Sequence, residues 1–267
     1  MNLGKLIRMR RIFTHPSGRF LSIAFDHFIG YGAGLPEGLR TIGPTLKRIV
    51  DGQPDAVTLH KGLARAAWEP YAGQIPLIIQ STIARPDDSA CEQIAEPEEA
   101  VRLGADAFAV TMFVRGPSEA AHIRTVAQAV RQAAQFDLPV IVHAYSRDYS
   151  SGEVRVSTLP EDIAWAVRCA VEAGADVVKT PYCGDVAAYR QIVEDCPVPL
   201  VAAGGPKTPT VEAALQMMSD VVAADARGAT VGRNVWGQVK VKEMILALKA
   251  VIHDGARPAE ALECYGL

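Results

Sequence analysis

Eight short runs of apolar, largely β-branched residues recur along the chain, at 20–26, 56–60, 77–81, 107–113, 140–145, 176–180, 200–203 and 228–232. Most are nearly continuous in apolar character rather than alternating, the pattern of parallel strands covered on both faces. Helix-like stretches lie between them, at 96–103, 118–135, 160–172, 186–193 and 211–223. Twice a Gly-Ala-Asp turn, Gly104-Ala105-Asp106 and Gly174-Ala175-Asp176, closes a helix and the next strand follows at once. Parallel strands need crossover connections, so this alternation demands an α/β architecture. Eight units within 267 residues favour a closed (β/α)8 TIM barrel over an open doubly wound sheet, because such a barrel takes roughly 250 residues as one domain. We expect one barrel domain over 1–267. It opens with a short amphipathic N-terminal helix that carries Leu3, Leu6 and Ile7.

Several classes of function are disfavoured. A formal net charge of −3 creates no general attraction to nucleic acid or to an anionic membrane. No apolar run approaches the roughly 20 residues of a membrane span. The basic start (Lys5, Arg8, Arg10, Arg11) is not followed by the apolar stretch of a secretory signal. The 5 cysteines are odd in number and form no C-x-x-C pair, which argues against a disulfide framework or structural zinc and for a reducing, cytoplasmic setting.

In a (β/α)8 barrel the chemistry sits at the C-terminal ends of the strands, and there the polar residues collect. They are Asp26-His27, His60-Lys61, Gln80-Ser81-Thr82, His143 and Tyr145, Lys179-Thr180, Gly204-Gly205-Pro206-Lys207 and Gly232-Arg233-Asn234. Lys179 stands inside an apolar strand, an unusual place for a lysine without a partner or a job. A neutral amine there can attack a carbonyl and form a Schiff base, provided that burial and neighbouring cations such as Lys61 or Arg233 lower its pKa towards roughly 7–8. The competing reading is an ion pair with Asp26 or Asp185. Asp26 and Tyr145 are candidates for proton transfer, against an N-cap or core ion pair for Asp26 and a rim aromatic for Tyr145. The histidines His27, His60 and His143 lack the H-x-H or H-x-x-x-H spacing of a metal site, so neither a metal nor a cofactor is expected. The loops 203–207 and 231–234 occupy the positions where many barrels bind phosphate through backbone N–H groups, with Lys207 and Arg233 adding charge. The glycine-rich stretch 28–44 is a candidate cover for the site, and Arg147 a candidate anchor for a distal anionic group of the substrate. Flexible surface loops are the plain alternative for both.

These motifs carry a resemblance. Gly4-Lys5-Leu6-Ile7-Arg8 with Arg11-Ile12-Phe13, Ala24-Phe25-Asp26-His27, Val178-Lys179-Thr180-Pro181-Tyr182-Cys183-Gly184-Asp185, Ala203-Gly204-Gly205-Pro206-Lys207-Thr208 and Val231-Gly232-Arg233-Asn234-Val235-Trp236 run through nearly the whole chain. Together they resemble the archaeal-type class I fructose-bisphosphate aldolases, within the wider group of DeoC/LacD-like Schiff-base aldolase barrels. The resemblance implies a lyase that makes or breaks a carbon–carbon bond of a phosphorylated ketose through an imine on Lys179, with Asp26 and Tyr145 in proton transfer. It also implies phosphate binding at Gly204, Gly205, Lys207, Gly232 and Arg233, and a homo-oligomer, a pentamer or decamer; His27 and Arg147 are further candidates for substrate binding. One segment departs from the family pattern. Where a Tyr-Pro-Arg-Gly motif is usual, this chain reads Tyr145-Ser146-Arg147-Asp148. That loop meets the far end of the substrate, so a transaldolase-like or thiolase-like transferase of the same family stays open as the alternative. A non-catalytic phosphosugar-binding barrel is a third reading.

Overall fold

The structure, a computed structural model, describes residues 2–31 and 34–267. Its strands in chain order are β1 (Phe20–Ala24), β2 (Ala56–His60), β3 (Leu77–Gln80), β4 (Thr82–Ala84), β5 (Cys91–Gln93), β6 (Ala107–Val114), β7 (Val140–Asp148), β8 (Arg155–Val156), β9 (Val177–Thr180), β10 (Leu200–Ala203) and β11 (Gly228–Val231). Eight of them pair in parallel around a ring, β1-β2-β3-β6-β7-β9-β10-β11, and β11 pairs back to β1. The expected (β/α)8 barrel is the fold, a single domain with a short N-terminal helix at Leu3–Ile12. Helices Pro160–Glu172 and Val211–Ala223 fall where the periodicity places them, and Thr210 caps the second by accepting a hydrogen bond from Ala213 N.

Period-2 alternation explains why one end of the barrel is inert and the other chemical. Inward-facing Phe20, Ala56, Ile78, Ala107, Ile141, Val177 and Val201 pack with Ile12 into an apolar plug at the N-terminal end. Two residues further along the same strands, the inward positions include Ser22, Thr58, Gln80, His143 and Lys179, all buried. The alternate, outward positions (Leu59, Ile79, Val142, Val178) belong to the larger core under the helices.

Three expectations need correction. The N-terminal helix does not bury the face carrying Leu3 and Ile7, which are 71% and 42% exposed. It docks by its C-terminal end, with Ile12 entering the plug and Met9 packed on it. The fifth barrel strand runs to Asp148 rather than 145, because Arg147 and Asp148 pair antiparallel with Val156 and Arg155 of β8. The third strand stops at Gln80, and the chain then folds into an unforeseen antiparallel hairpin, β4 against β5. Of the glycine-rich stretch, Gly32 lies outside the described residues. Gly38 packs so tightly that an added Cβ would lie 1.9 Å from the Trp236 carbonyl oxygen, so at that point the stretch is seated against the loop after β11.

Candidate active site

A cavity of about 700 Å³ opens at the C-terminal end of the barrel, within the range of small-molecule sites. Asp26, His143, Tyr145 and Lys179 line it, together with Gly204, Gly205, Gly232 and Arg233 of the last two loops.

Lys179 points inward from β9, is 5% exposed, and makes no hydrogen bond or ion pair with any described residue. Burial lowers its pKa from 10.5 to about 8; Asp26 pulls it upward and Arg233 pushes it further down. The ion-pair reading with Asp185 fails, since that carboxylate caps helix Val186–Glu194 by accepting from Ala188 N at 2.7 Å. Lys61, the other cation considered as a neighbour, is paired with Glu99 at 2.7 Å.

Asp26 follows β1 and is buried. Burial alone would raise its carboxyl, but the His27 contact at 3.2 Å and the charges of His27, Lys179 and His60 hold it well below the usual carboxylate range. Gln80 Nε2 donates to its Oδ2 at 3.3 Å. His27 is clamped by Trp236, edge-on at 5.5 Å between centroids, and lies against Gly232, where an added Cβ would come 2.3 Å from the ring. Only glycine permits this approach. His60 turns both ring nitrogens to backbone carbonyls, Gln80 O at 3.0 Å and Asp26 O at 3.1 Å.

The loops after β10 and β11 are tied together by Asn234, fully buried. Its amide donates to Gly204 O at 2.8 Å and Pro206 O at 2.9 Å, and its carbonyl accepts from Thr208 N at 2.8 Å. Arg233 donates to Gly205 O at 3.1 Å. Gly205 itself has φ +65°, a conformation that favours glycine. A buried lysine near a carboxylate, beside two glycine loops and an arginine, is a site for imine chemistry on an anionic carbonyl compound.

Comparison with known proteins decides the family. Residues 20–238 match the model described as the DeoC/LacD family aldolase. The chain belongs to that family. The chain is 34% identical over 259 residues to the class 1 fructose-bisphosphate aldolase of Thermoproteus tenax, covering 94% of this chain and 96% of that one. It is equally 34% identical, over 266 residues, to the 2-amino-3,7-dideoxy-D-threo-hept-6-ulosonate synthase of Halobacterium salinarum, covering 99% and 97%. An archaeal fructose-1,6-bisphosphate aldolase structure, with its catalytic lysine bound to the carbinolamine intermediate, superposes with a TM-score of 0.82 at 30% identity, covering 93% of this chain and 99% of that chain. This aldolase is thus a lyase of the class I, Schiff-base type.

Two of the residues expected to bind substrate stand elsewhere. Arg147 does not line the cavity. Its side chain is fully buried and ion-paired with Asp88. It also donates to Pro86 O at 2.7 Å and to Ser118 Oγ at 2.9 Å, and stacks over the Phe113 ring. Alternation alone would put Arg147 on the face of Tyr145, but past Ser146 the strand pairs with β8 instead of with the barrel, and the guanidinium is held outside the cavity by Asp88, Pro86 and Ser118. A guanidinium neutralised in this way ties loops together and is not an anchor for a distal anion. We expect Arg147→Met to lower stability by about 1–3 kcal/mol, the cost of removing the hydrogen bonds of a buried guanidinium to a part-exposed carboxylate and to neighbouring acceptors, with KM for a phosphorylated ketose little changed. Urea unfolding and steady-state kinetics measure the two. Lys207 is exposed, with its Nζ 3.1 Å from Gly237 O, and it too stands outside the cavity lining. Thr111, by contrast, belongs to the site's framework without having been singled out, and Gln80 and Asn234, noted at the strand ends but given no role, turn out to hold it together. The inward period carried on from Ile78 to Gln80 and from Ala109 to Thr111 was the available signal.

Proposed function

We propose that this protein cleaves or forms a carbon–carbon bond of a phosphorylated ketose through an imine on Lys179, with Asp26 and Tyr145 serving proton transfer. The observation that carries the reading is the buried amine, poised at about 8 and facing the cavity with no hydrogen-bond or ion-pair partner among the described residues. Asp26 is ionised at working pH and can accept a hydrogen bond from the substrate hydroxyl whose proton leaves on cleavage. Tyr145 lies two residues above His143 on β7, on the same face, and is placed to return a proton to carbon. The phosphate reading is supported by Gly204, Gly205, Gly232 and Arg233 at the cavity wall; Lys207 contributes from the rim at most through long-range charge.

A transferase acting on a phosphorylated keto compound is the second reading. It is favoured by the equal match to the heptulosonate synthase and by the far wall of the cavity, where Arg85 stands with Asp87 and Glu153 instead of Arg147. Mixed charge there suits a second substrate other than an aldehyde phosphate. Borohydride trapping against a panel of phosphorylated ketoses, read by mass spectrometry, tests the first reading: a substrate-dependent mass must appear on the peptide carrying Lys179. Product formation that depends on an added acceptor separates the second.

Arg233→Ala should raise KM for a phosphorylated substrate by about 10- to 150-fold, the worth of one hydrogen bond to a charged group (roughly 1.5–3 kcal/mol). It should leave KM for the unphosphorylated analogue unchanged. No described helix is long and apolar enough to cross a membrane. The cytoplasmic setting is proposed on the cysteine pattern, and the pentameric or decameric ring on the family resemblance; light scattering reads the assembly directly.

A further inference from the structure

His143 is the buried polar side chain at the centre of the site to which the family resemblance gives no task. β7 and β9 pair in parallel with His143 directly opposite Lys179. Side chains at paired positions of adjacent strands leave the sheet on the same face, so imidazole and amine stand side by side on the cavity floor, and both line it.

The neighbours decide which ring nitrogen carries the proton. Gln80 Nε2 lies 3.3 Å from Asp26 Oδ2, 3.2 Å from Thr111 Oγ1 and 3.2 Å from His143 Nδ1. Its Oε1 accepts from Thr82 N and Thr82 Oγ1 at 3.4 Å each. Turning the amide over would set its oxygen against the Asp26 carboxylate, acceptor against acceptor, so the orientation is determined by the network. An amide nitrogen only donates, so its two hydrogens are shared among Asp26 Oδ2, Thr111 Oγ1 and His143 Nδ1, and at the contact with His143 it is Nδ1 that accepts. Burial first, then the charge of Lys179, hold the imidazole well below its ordinary range; Asp26 opposes this and His27 reinforces it. The ring is thus neutral with its hydrogen on Nε2, and that Nε2 has no hydrogen-bond partner among the described residues.

We propose that His143 is a catalytic hydrogen-bond donor, whose Nε2–H polarises the substrate carbonyl that Lys179 attacks and then holds the oxygen of the carbinolamine. The inference rests on Lys179 being the nucleophile. The Nζ lone pair forms the N–C bond, and the carbonyl π pair moves onto oxygen, which Nε2–H hydrogen-bonds without surrendering its proton. An ammonium proton of the adduct passes to that oxygen to give the carbinolamine hydroxyl. The nitrogen lone pair then expels the hydroxyl as the C=N bond forms, and a proton from solvent completes the departing water. A neutral imidazole is too weak an acid to supply that proton. It is well suited to stabilise developing negative charge on oxygen in a buried site. Gln80 is a positioning residue: by donating to Nδ1 it keeps the hydrogen on Nε2.

The test uses the ketose that labels the wild-type enzyme most fully under borohydride. In His143→Leu the rate of imine formation on Lys179 should fall about 10²–10³-fold, the usual effect of removing one such donor. In His143→Gln, whose amide offers a donor in the same direction, it should recover to within about tenfold of wild type. Side-chain ¹⁵N NMR of the wild type should show His143 as the neutral Nε2–H tautomer at neutral pH, which requires no variant to fold. Wild-type labelling rates in His143→Leu overturn the proposal while leaving Lys179 in place. So does an Nδ1–H tautomer. A Gln variant as slow as the Leu variant does the same, by assigning His143 only to holding Gln80. Absence of any adduct in the wild type removes the Lys179 reading and this one together.

Discussion

Lys179→Met is expected to abolish aldol turnover, by on the order of 10⁴-fold or more, as when one member of a catalytic unit is deleted, and at the same time to make the fold more stable. Methionine approximates the length and volume of the side chain but has no amine to form an imine. The gain in stability follows from the direction of the lysine's shift. Its pKa is 10.5 for an ordinary lysine and about 8 in the folded site, lowered chiefly by burial. Between those values the unfolded chain binds more protons than the folded one, so wild-type stability rises with pH from about 8 to about 10.5. Below about 8 both states carry the ammonium and the full penalty for burying it remains, on the order of 3 kcal/mol. The methionine variant lacks that penalty. Its unfolding free energy should exceed wild type near pH 7 by up to that amount, and the difference should shrink across the window. Urea denaturation at pH 7 and pH 10 measures both. An inactive variant that is also less stable at pH 7 would refute the burial account of the amine. The same shift shapes catalysis. Near pH 7 about a tenth of the amine is neutral, so the rate of imine formation in the wild type should climb with pH and level off above about 8.

Asp26→Asn separates imine formation from bond cleavage. The amide keeps the shape of the carboxyl and can still accept from Gln80, but it carries no charge and is a far weaker acceptor for a substrate proton. Overall turnover should fall about 10²–10⁴-fold, the usual reach of a single acid–base group. Borohydride labelling of Lys179 should survive. Since Asp26 favours the ammonium form of Lys179, its neutralisation should move the midpoint of the labelling profile below about 8. Parallel loss of labelling and turnover would instead place Asp26 in the first step alone. The two substitutions thus give opposite patterns: Lys179→Met loses label and turnover together, and Asp26→Asn loses only turnover.

Much of the fold is legible in the amino-acid sequence. Continuous apolar runs at eight positions, with glycine-closed helices between, identify parallel strands because only strands covered on both faces can be apolar throughout. The period-2 geometry of a strand also puts Val178 and Lys179 on opposite faces, and the polar character of Lys179 assigns it to the barrel interior. The limits of that reasoning show at Arg147 and Lys207. Both belong to recognisable motifs, yet the β8 hairpin carries the first out of the cavity into an ion pair with Asp88, and the second ends at the rim. Side-chain direction past the end of a strand depends on what the chain does next, and neither loop has a period to read.

What the order of residues settled is therefore the architecture and the placement of Lys179 inside the barrel, because strand periodicity is local and repeats eight times. What required the closed barrel is the state of the groups around that amine. Gln80 stands 54 residues from Asp26 and 63 from His143 along the chain, and closure of the ring brings the three within hydrogen-bond distance. The lowered pKa of Lys179, the ionised Asp26 and the tautomer of His143 all arise from burial and from charges supplied by different strands. Electrostatics in a low-dielectric interior acts through space rather than along sequence, and so only the assembled barrel sets it.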